Sequence, residues 1–166
     1  MGNNDYGRHI TKTIKMLPII SRKLIYPLQE KLLHRPTFEY LKELEQILEM
    51  TDDGFFKLNK TYFKHFKEGV AMDWEGGSPT IESLFTDEWC KLLGKSRVKG
   101  DELEQWHIDL ATSVQRFTEK VIFHMLNHLH KKTGAENICI TGGVAQNSVA
   151  NGKILENTSF KNIYIP

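Results

Sequence analysis

The clearest chemical signal in this sequence is a glycine pair set between an apolar run and a helix. Ile138-Cys139-Ile140-Thr141 is short and rich in β-branched residues, suited to a buried parallel strand, and Gly142-Gly143 follows it directly. Val144 to Glu156 reads as a helix and Asn162 to Pro166 as the next strand, so the whole is a strand, glycine turn, helix, strand unit. Paired glycines remove β-carbons where a ligand needs close backbone approach, and the helix start beyond them directs amides and positive dipole toward an anion. A nucleotide phosphate or sugar fits such a turn. Tight packing of a strand on a helix selects glycine as well.

Other residues with chemical potential are weaker. His124 and His128 are four apart and share a helix face at a metal-ligand spacing, but Met125-Leu126-Asn127 between them supplies no acid, and His130 points elsewhere. His107, beside Trp106, reads either as an interior histidine or as part of a pocket. His65 belongs to the aromatic cluster around Tyr62, Phe63 and Phe66. Cys90 and Cys139 make no C-x-x-C pair or Cys/His ligand set, which argues against a disulfide framework or a zinc site and fits a reducing cytoplasm.

The elements that would position these residues follow from periodicity. Phe38, Leu41, Leu44 and Leu48 recur at three and four, predicting a helix capped by Thr37 and ending near Met50. Asp52-Asp53-Gly54 is a turn, with a short strand over residues 55–59 leaving it. Short helices are expected near Ser78-Pro79 and near Thr86, the second closing at Gly94. The longest element begins at a capping-box-like pair, Asp101 and Glu104, and carries a stripe from Leu103 and Trp106 to Met125 and Leu129. Gly134, after Lys131 and Lys132, supplies its left-handed stop. This helix, about 45 Å long, reads as a core helix packed on a sheet.

Composition frames the class. The chain has 166 residues, 40% hydrophobic and 26% charged, enough apolar content for one soluble domain and no match for a disordered or collagen-like chain. A net charge of +1 gives no whole-chain field for nucleic acid or an anionic membrane. Residues 1–35 nevertheless hold seven Lys/Arg against two Asp/Glu, so a basic segment over 1–36 is either a solvated leader or a contact arm for an acidic partner. Its longest apolar run, Met16 to Ile20, is too short to span a membrane or to serve as a signal-peptide core.

Four motifs in order resemble the O-carbamoyltransferase family that includes nodulation-factor and antibiotic carbamoyltransferases. Residues 138–153, from Ile138 to Lys153, look like its "LCLAGGVALNCVANGK" signature, with Gln146 in place of leucine and Ser148 in place of cysteine. Asp52 to Asn59 is similar to "DDGSFRLN", Leu93 to Arg97 to "LFGPPR", and His107 to Gln115 to "HADLAASLQ". The resemblance covers roughly residues 40 to 166.

The resemblance implies an α/β fold, a partial ribonuclease-H-like half-domain of the actin-like ATPase superfamily over 37–166, helix-rich with a short sheet. It implies an enzyme that converts carbamoyl phosphate and ATP to a carbamoyl-adenylate at a metal-dependent site and transfers the carbamoyl group to a hydroxyl acceptor. Gly142, Gly143 and Val144 would line the adenosine side of the cleft, with Asn147 and Asn151 offering amides from one helix face. The family's metal-binding histidines, its "GDAGTALGAA" segment and its acceptor-binding domain have no counterpart in these residues. The chain is therefore expected to be an internal portion, inactive alone, with the divalent metal belonging to the intact enzyme. The alternative is a non-catalytic nucleotide-binding or interaction module. An exposed half-domain surface also predicts a homo-oligomer.

Overall fold

The computed structural model describes residues 37–77 and 79–166. The basic segment 1–36 and Ser78 lie outside the described residues. The fold is mixed α/β and helix-rich, with three two-stranded sheets among the described residues. Its axis is α3, Gln105–Thr133, 29 residues and about 44 Å long. Helix α1 (Leu41–Ile47), strands β1 (Leu48–Met50) and β2 (Phe56–Leu58), the short hairpin β3 (Met72–Asp73) and β4 (Thr80–Ile81), and helix α2 (Glu88–Leu93) precede it. Strand β5 (Asn137–Cys139), the four-residue helices α4 (Ser148–Asn151) and α5 (Ile154–Asn157), and strand β6 (Asn162–Tyr164) follow. No helix among the described residues is long and apolar enough to cross a membrane.

Two apolar cores form on α3. Leu110, Val114, Phe117 and Val121 pack with Leu44, Ile47 and Leu48 from α1 and β1, joined by Phe63 and Leu93. Phe123 and Leu126 pack with Ile154 and Phe160, against Ile138 and Ile163 of β5 and β6. Burial on α3 is therefore wider than one stripe and takes in Ser113, Thr118 and Glu119. Beyond Leu126 the helix emerges from both cores, leaving Leu129, the last position of the expected stripe, 43% exposed. Gly134 ends it at φ +66°, donating its N–H to the His130 carbonyl at 2.8 Å, as the sequence predicts.

Three expectations are corrected. Thr37 does not cap the first helix. Its N–H donates to Asp109 Oδ1 at 2.8 Å, tying the chain to α3, and α1 starts only after Tyr40, whose N–H reaches Ser113 Oγ. Phe38 consequently stands half exposed. The helix also stops at Ile47 rather than near Met50, because the turn at Asp53-Gly54 folds β2 back antiparallel and pairs Leu48 with Leu58 and Met50 with Phe56. In that turn Asp53 takes the Thr51 hydroxyl and the Phe55 N–H, which hold its carboxyl below the ordinary range. Near Pro79 there is no helix: Gly76 and Gly77 at φ +76° and +93° reverse the chain into the β3–β4 hairpin, with Met72 opposite Ile81. The helix closing at Gly94 is present as α2, beginning two residues later than Thr86.

The start of α3 differs by three residues from the Asp101–Glu104 pair. Glu104 is the N-cap, and its N–H donates to His107 Nδ1 at 2.9 Å. Asp101 instead closes the preceding loop, accepting from the Val98 N–H and from the Arg97 guanidinium at its carbonyl. His107 is buried and stacked on Trp106 with ring centroids 3.7 Å apart, and burial, ahead of any neighbouring charge, pushes its pKa down. His65 sits among Phe63 and Phe66 as the sequence predicts. His124 Nε2 lies 2.9 Å from the Thr51 carbonyl, and the His128 ring covers Gly54, so this pair braces the β1–β2 turn.

Two tests follow from these contacts. Gly54 has φ +82°, and a Cβ there would fall 2.1 Å from the His128 ring, so Gly54→Ala combines left-handed strain with overpacking. Chemical denaturation should read a loss of about 3 kcal/mol. Burial favours the neutral imidazole of His107 in the folded chain, while the unfolded chain takes up its proton near pH 6.5. Its contribution is whole above that pH and is lost as pH falls through it, by up to about 1.4 kcal/mol per pH unit. His107→Gln, whose amide oxygen can still accept from Glu104, should flatten this part of the pH profile of stability.

Candidate functional site

Strands β5 and β6 pair in parallel, Ile138 opposite Ile163 and Cys139 opposite Tyr164, and the glycine turn leaves the end of β5. Gly142 adopts φ +101°, a conformation that favours glycine, and its carbonyl accepts from the Ala145 N–H at 3.1 Å. Gly143 is different. Its φ of −62° and ψ of −33° suit any residue, and a Cβ placed on it would meet nothing within 4 Å. Neither backbone nor packing accounts for glycine there. What a Cβ would occupy is open space above an exposed backbone, the kind of approach that a ligand needs.

The expected helix from Val144 to Glu156 is broken into three pieces, a 3-10 turn at Val144–Gln146 followed by α4 and α5. The break lies at Asn147, whose ψ of 88° leaves the helical region so that its side chain can cap α4. Its Oδ1 accepts from the Ala150 N–H at 3.0 Å, and its Nδ2 donates to Gln115 Oε1 at 3.0 Å. Asn151 Nδ2 donates to the Ala145 carbonyl at 2.6 Å. Both asparagine amides thus bond within the protein and brace the turn, while Gly142 and Gly143 face solvent and Val144 is half-buried.

Beneath the turn lies a group that the periodicity argument did not single out. Glu119 on α3 is 1% exposed, and both of its oxygens accept from Lys153 Nζ, at 2.8 and 2.9 Å. Gln115 Nε2 donates to Oε1 at 3.0 Å, and Arg116 approaches Oε2 from the rim at 3.5 Å. A buried charge is tolerated only when paired and hydrogen-bonded, which this one is. The signal available in the sequence was Gln115 and Glu119 at a four-residue spacing on a helix face, with Lys153 closing the glycine motif.

The remaining candidate stands apart. His107 lies eight residues before Gln115, about 12 Å along the helix axis, inside the N-terminal cap. Among the described residues no three His, Cys, Asp or Glu side chains converge to hold a metal ion. The donor set for a divalent metal is therefore not supplied by the described residues.

Comparison with known proteins shows the family. The family model described as carbamoyltransferase N-terminus matches residues 37–166. An uncharacterized protein of Synechocystis is 37% identical over 123 residues, 74% of this chain and 18% of that protein. Nodulation protein NolO of Bradyrhizobium diazoefficiens is 41% identical over 69 residues, 42% of this chain and 13% of its own length. Nodulation protein NolNO of Sinorhizobium fredii is 39% identical over 69 residues, 42% of this chain and 10% of its own length. The chain spans less than a fifth of these relatives. With a family match running from Thr37 through the glycine turn to Pro166, the chain belongs to the carbamoyltransferase N-terminus family.

Proposed function

We propose that residues 37–166 are part of the nucleotide-binding domain of an ATP-dependent carbamoyltransferase, a portion of a ribonuclease-H-like half, and that the Gly142-Gly143 turn forms the adenosine side of its cleft. The observation that carries this reading is Gly143, a glycine required by neither its φ nor any neighbour. In the intact enzyme, carbamoyl phosphate would give up its phosphate, ATP would lose pyrophosphate as its adenylate joins the carbamoyl group, and transfer of that group to a hydroxyl would release AMP. The residues of this chain bind and orient. Gly142 and Gly143 admit the nucleotide against bare backbone, and Val144 offers an apolar contact beside it. Asn147 and Asn151 keep the turn in one shape before the ligand arrives, so that little ordering entropy remains to be lost on binding.

The chain alone is proposed to bind without turning over, since the described residues bring together no ligand cluster for a metal ion that would neutralise the charge of a reacting phosphate. A half-domain of this kind also leaves apolar surface for association. Trp74 and Tyr164 are 64% and 65% exposed, and Val149 and Leu155 beside the turn are about half exposed.

Isothermal calorimetry with ATP and ADP tests the site. Gly143→Ala fits the backbone and its Cβ has nothing within 4 Å beyond its chain neighbours, so it should leave thermal stability almost unchanged while weakening nucleotide binding by about tenfold or more. Equal affinity for the variant and the parent chain would remove the turn from the site. Light scattering should show a dimer or larger species, and a monomer across the concentration range would overturn the association reading.

A further inference from the structure

We infer that Glu119 is a positioning residue whose ionised carboxylate orients two side-chain amides in series and, through them, the cap of the helix that follows the glycine turn. An ionised carboxylate only accepts hydrogen bonds. Gln115 must therefore present its NH2 group to Glu119, and Nε2 lies 3.0 Å from Oε1. That choice leaves Gln115 Oε1 facing Asn147, where it accepts from Nδ2 at 3.0 Å. Asn147 Oδ1 is turned in consequence toward the Ala150 N–H, 3.0 Å away, and also accepts weakly from Gln115 Nε2 at 3.3 Å. Reversing both amides would set the NH2 group of Asn147 against the N–H of Ala150, donor against donor. Lys153 donates its ammonium to both carboxylate oxygens, which fixes Glu119 as an acceptor on both and so maintains the direction of the series.

The cap matters because α4 has only four residues, too few to hold a helical turn without an external partner. Ala150 is fully buried, so an unpaired N–H there would carry the full cost of a lost bond. Glu119 thus acts on the turn without touching whatever binds it. This inference rests on the nucleotide reading only for its effect on affinity. The effect on the cap stands independently.

Amide hydrogen exchange of the full chain, followed by NMR, separates the two. Glu119→Gln keeps the shape but can donate as well as accept, so the series loses its direction. The Ala150 amide should then exchange about tenfold faster relative to Val114 and Val121 in α3. Lys153→Arg retains the charge and should hold Ala150 protection within about twofold of the parent. In Glu119→Gln/Asn147→Asp the introduced carboxylate accepts from Ala150 whatever the direction of Gln115, and protection should return. That recovery is not expected of a residue that only fills space.

Ala150 protection unchanged in Glu119→Gln, a uniform loss across α3, or no recovery in the double variant would overturn the inference. If Glu119→Gln does not fold, recovery of folding in the double variant supports it and continued failure overturns it. Loosening of Ala150 in a chain that binds no ATP would support the cap series and count against the nucleotide reading. Weakened ATP binding with Ala150 still protected would do the opposite.

Discussion

The segment that carries the glycine turn is held to the molecule by a charge that has to be answered. Glu119 lies in the interior of the fold, where an ionised carboxylate is stable only with full pairing. Lys153 comes from the far side of the turn to meet it, and Gln115 one helical turn earlier links it to Asn147. Helices α4 and α5 are four residues each and could not persist as isolated helices. Their apolar anchors are few, chiefly Ala150 and Ile154. Polar satisfaction at Glu119, together with the packing of Ile154 and Phe160 on Phe123 and Leu126, fixes where this segment sits.

Helix α3 makes that arrangement possible by serving two cores at once. One set of its side chains closes over α1 and the β1–β2 pair, and another receives the β5–β6 unit. Glu119 lies where the two sets meet, between Phe117 and Val121 of the first core and four residues before Phe123 of the second. The glycine turn is consequently referenced to the middle of the longest rigid element and not to a loop. Such placement suits a binding surface, because a helix transmits the position of its neighbours more faithfully than an irregular connection.

Much of the scaffold was legible in the residues. The spacing of Leu110, Val114, Phe117 and Val121 predicts α3, Gly134 predicts its end, and Gly94 the end of α2. Asp52-Asp53-Gly54 predicts the turn before β2. The misread positions, Thr37, Ser78-Pro79 and Asp101, carry local signals that lose to competitors, a distant one for Thr37 and neighbouring residues for the other two. Asp109 captures the Thr37 N–H, His107 takes the cap assigned to Asp101 and Glu104 as a pair, and Gly76-Gly77 imposes a hairpin beside Pro79. In the site, the sequence singled out Gly142, Gly143, Val144, Asn147 and Asn151. It did not assign the asparagine amides inward, because which atoms an amide bonds depends on neighbours 32 residues away in Gln115.

By itself the sequence determined the helix periods, the glycine turns and the family motifs, all of which depend on residues near one another along the chain. Only the tertiary structure decided that the helix after Gly143 would break at Asn147, that the asparagines would brace the turn, and that Glu119 would be buried beneath it. Those outcomes turn on hydrogen-bond and charge satisfaction between distant segments. A local pattern registers that a residue is polar, but the direction of its hydrogen bonds exists only once the chain has folded and its partners are in place.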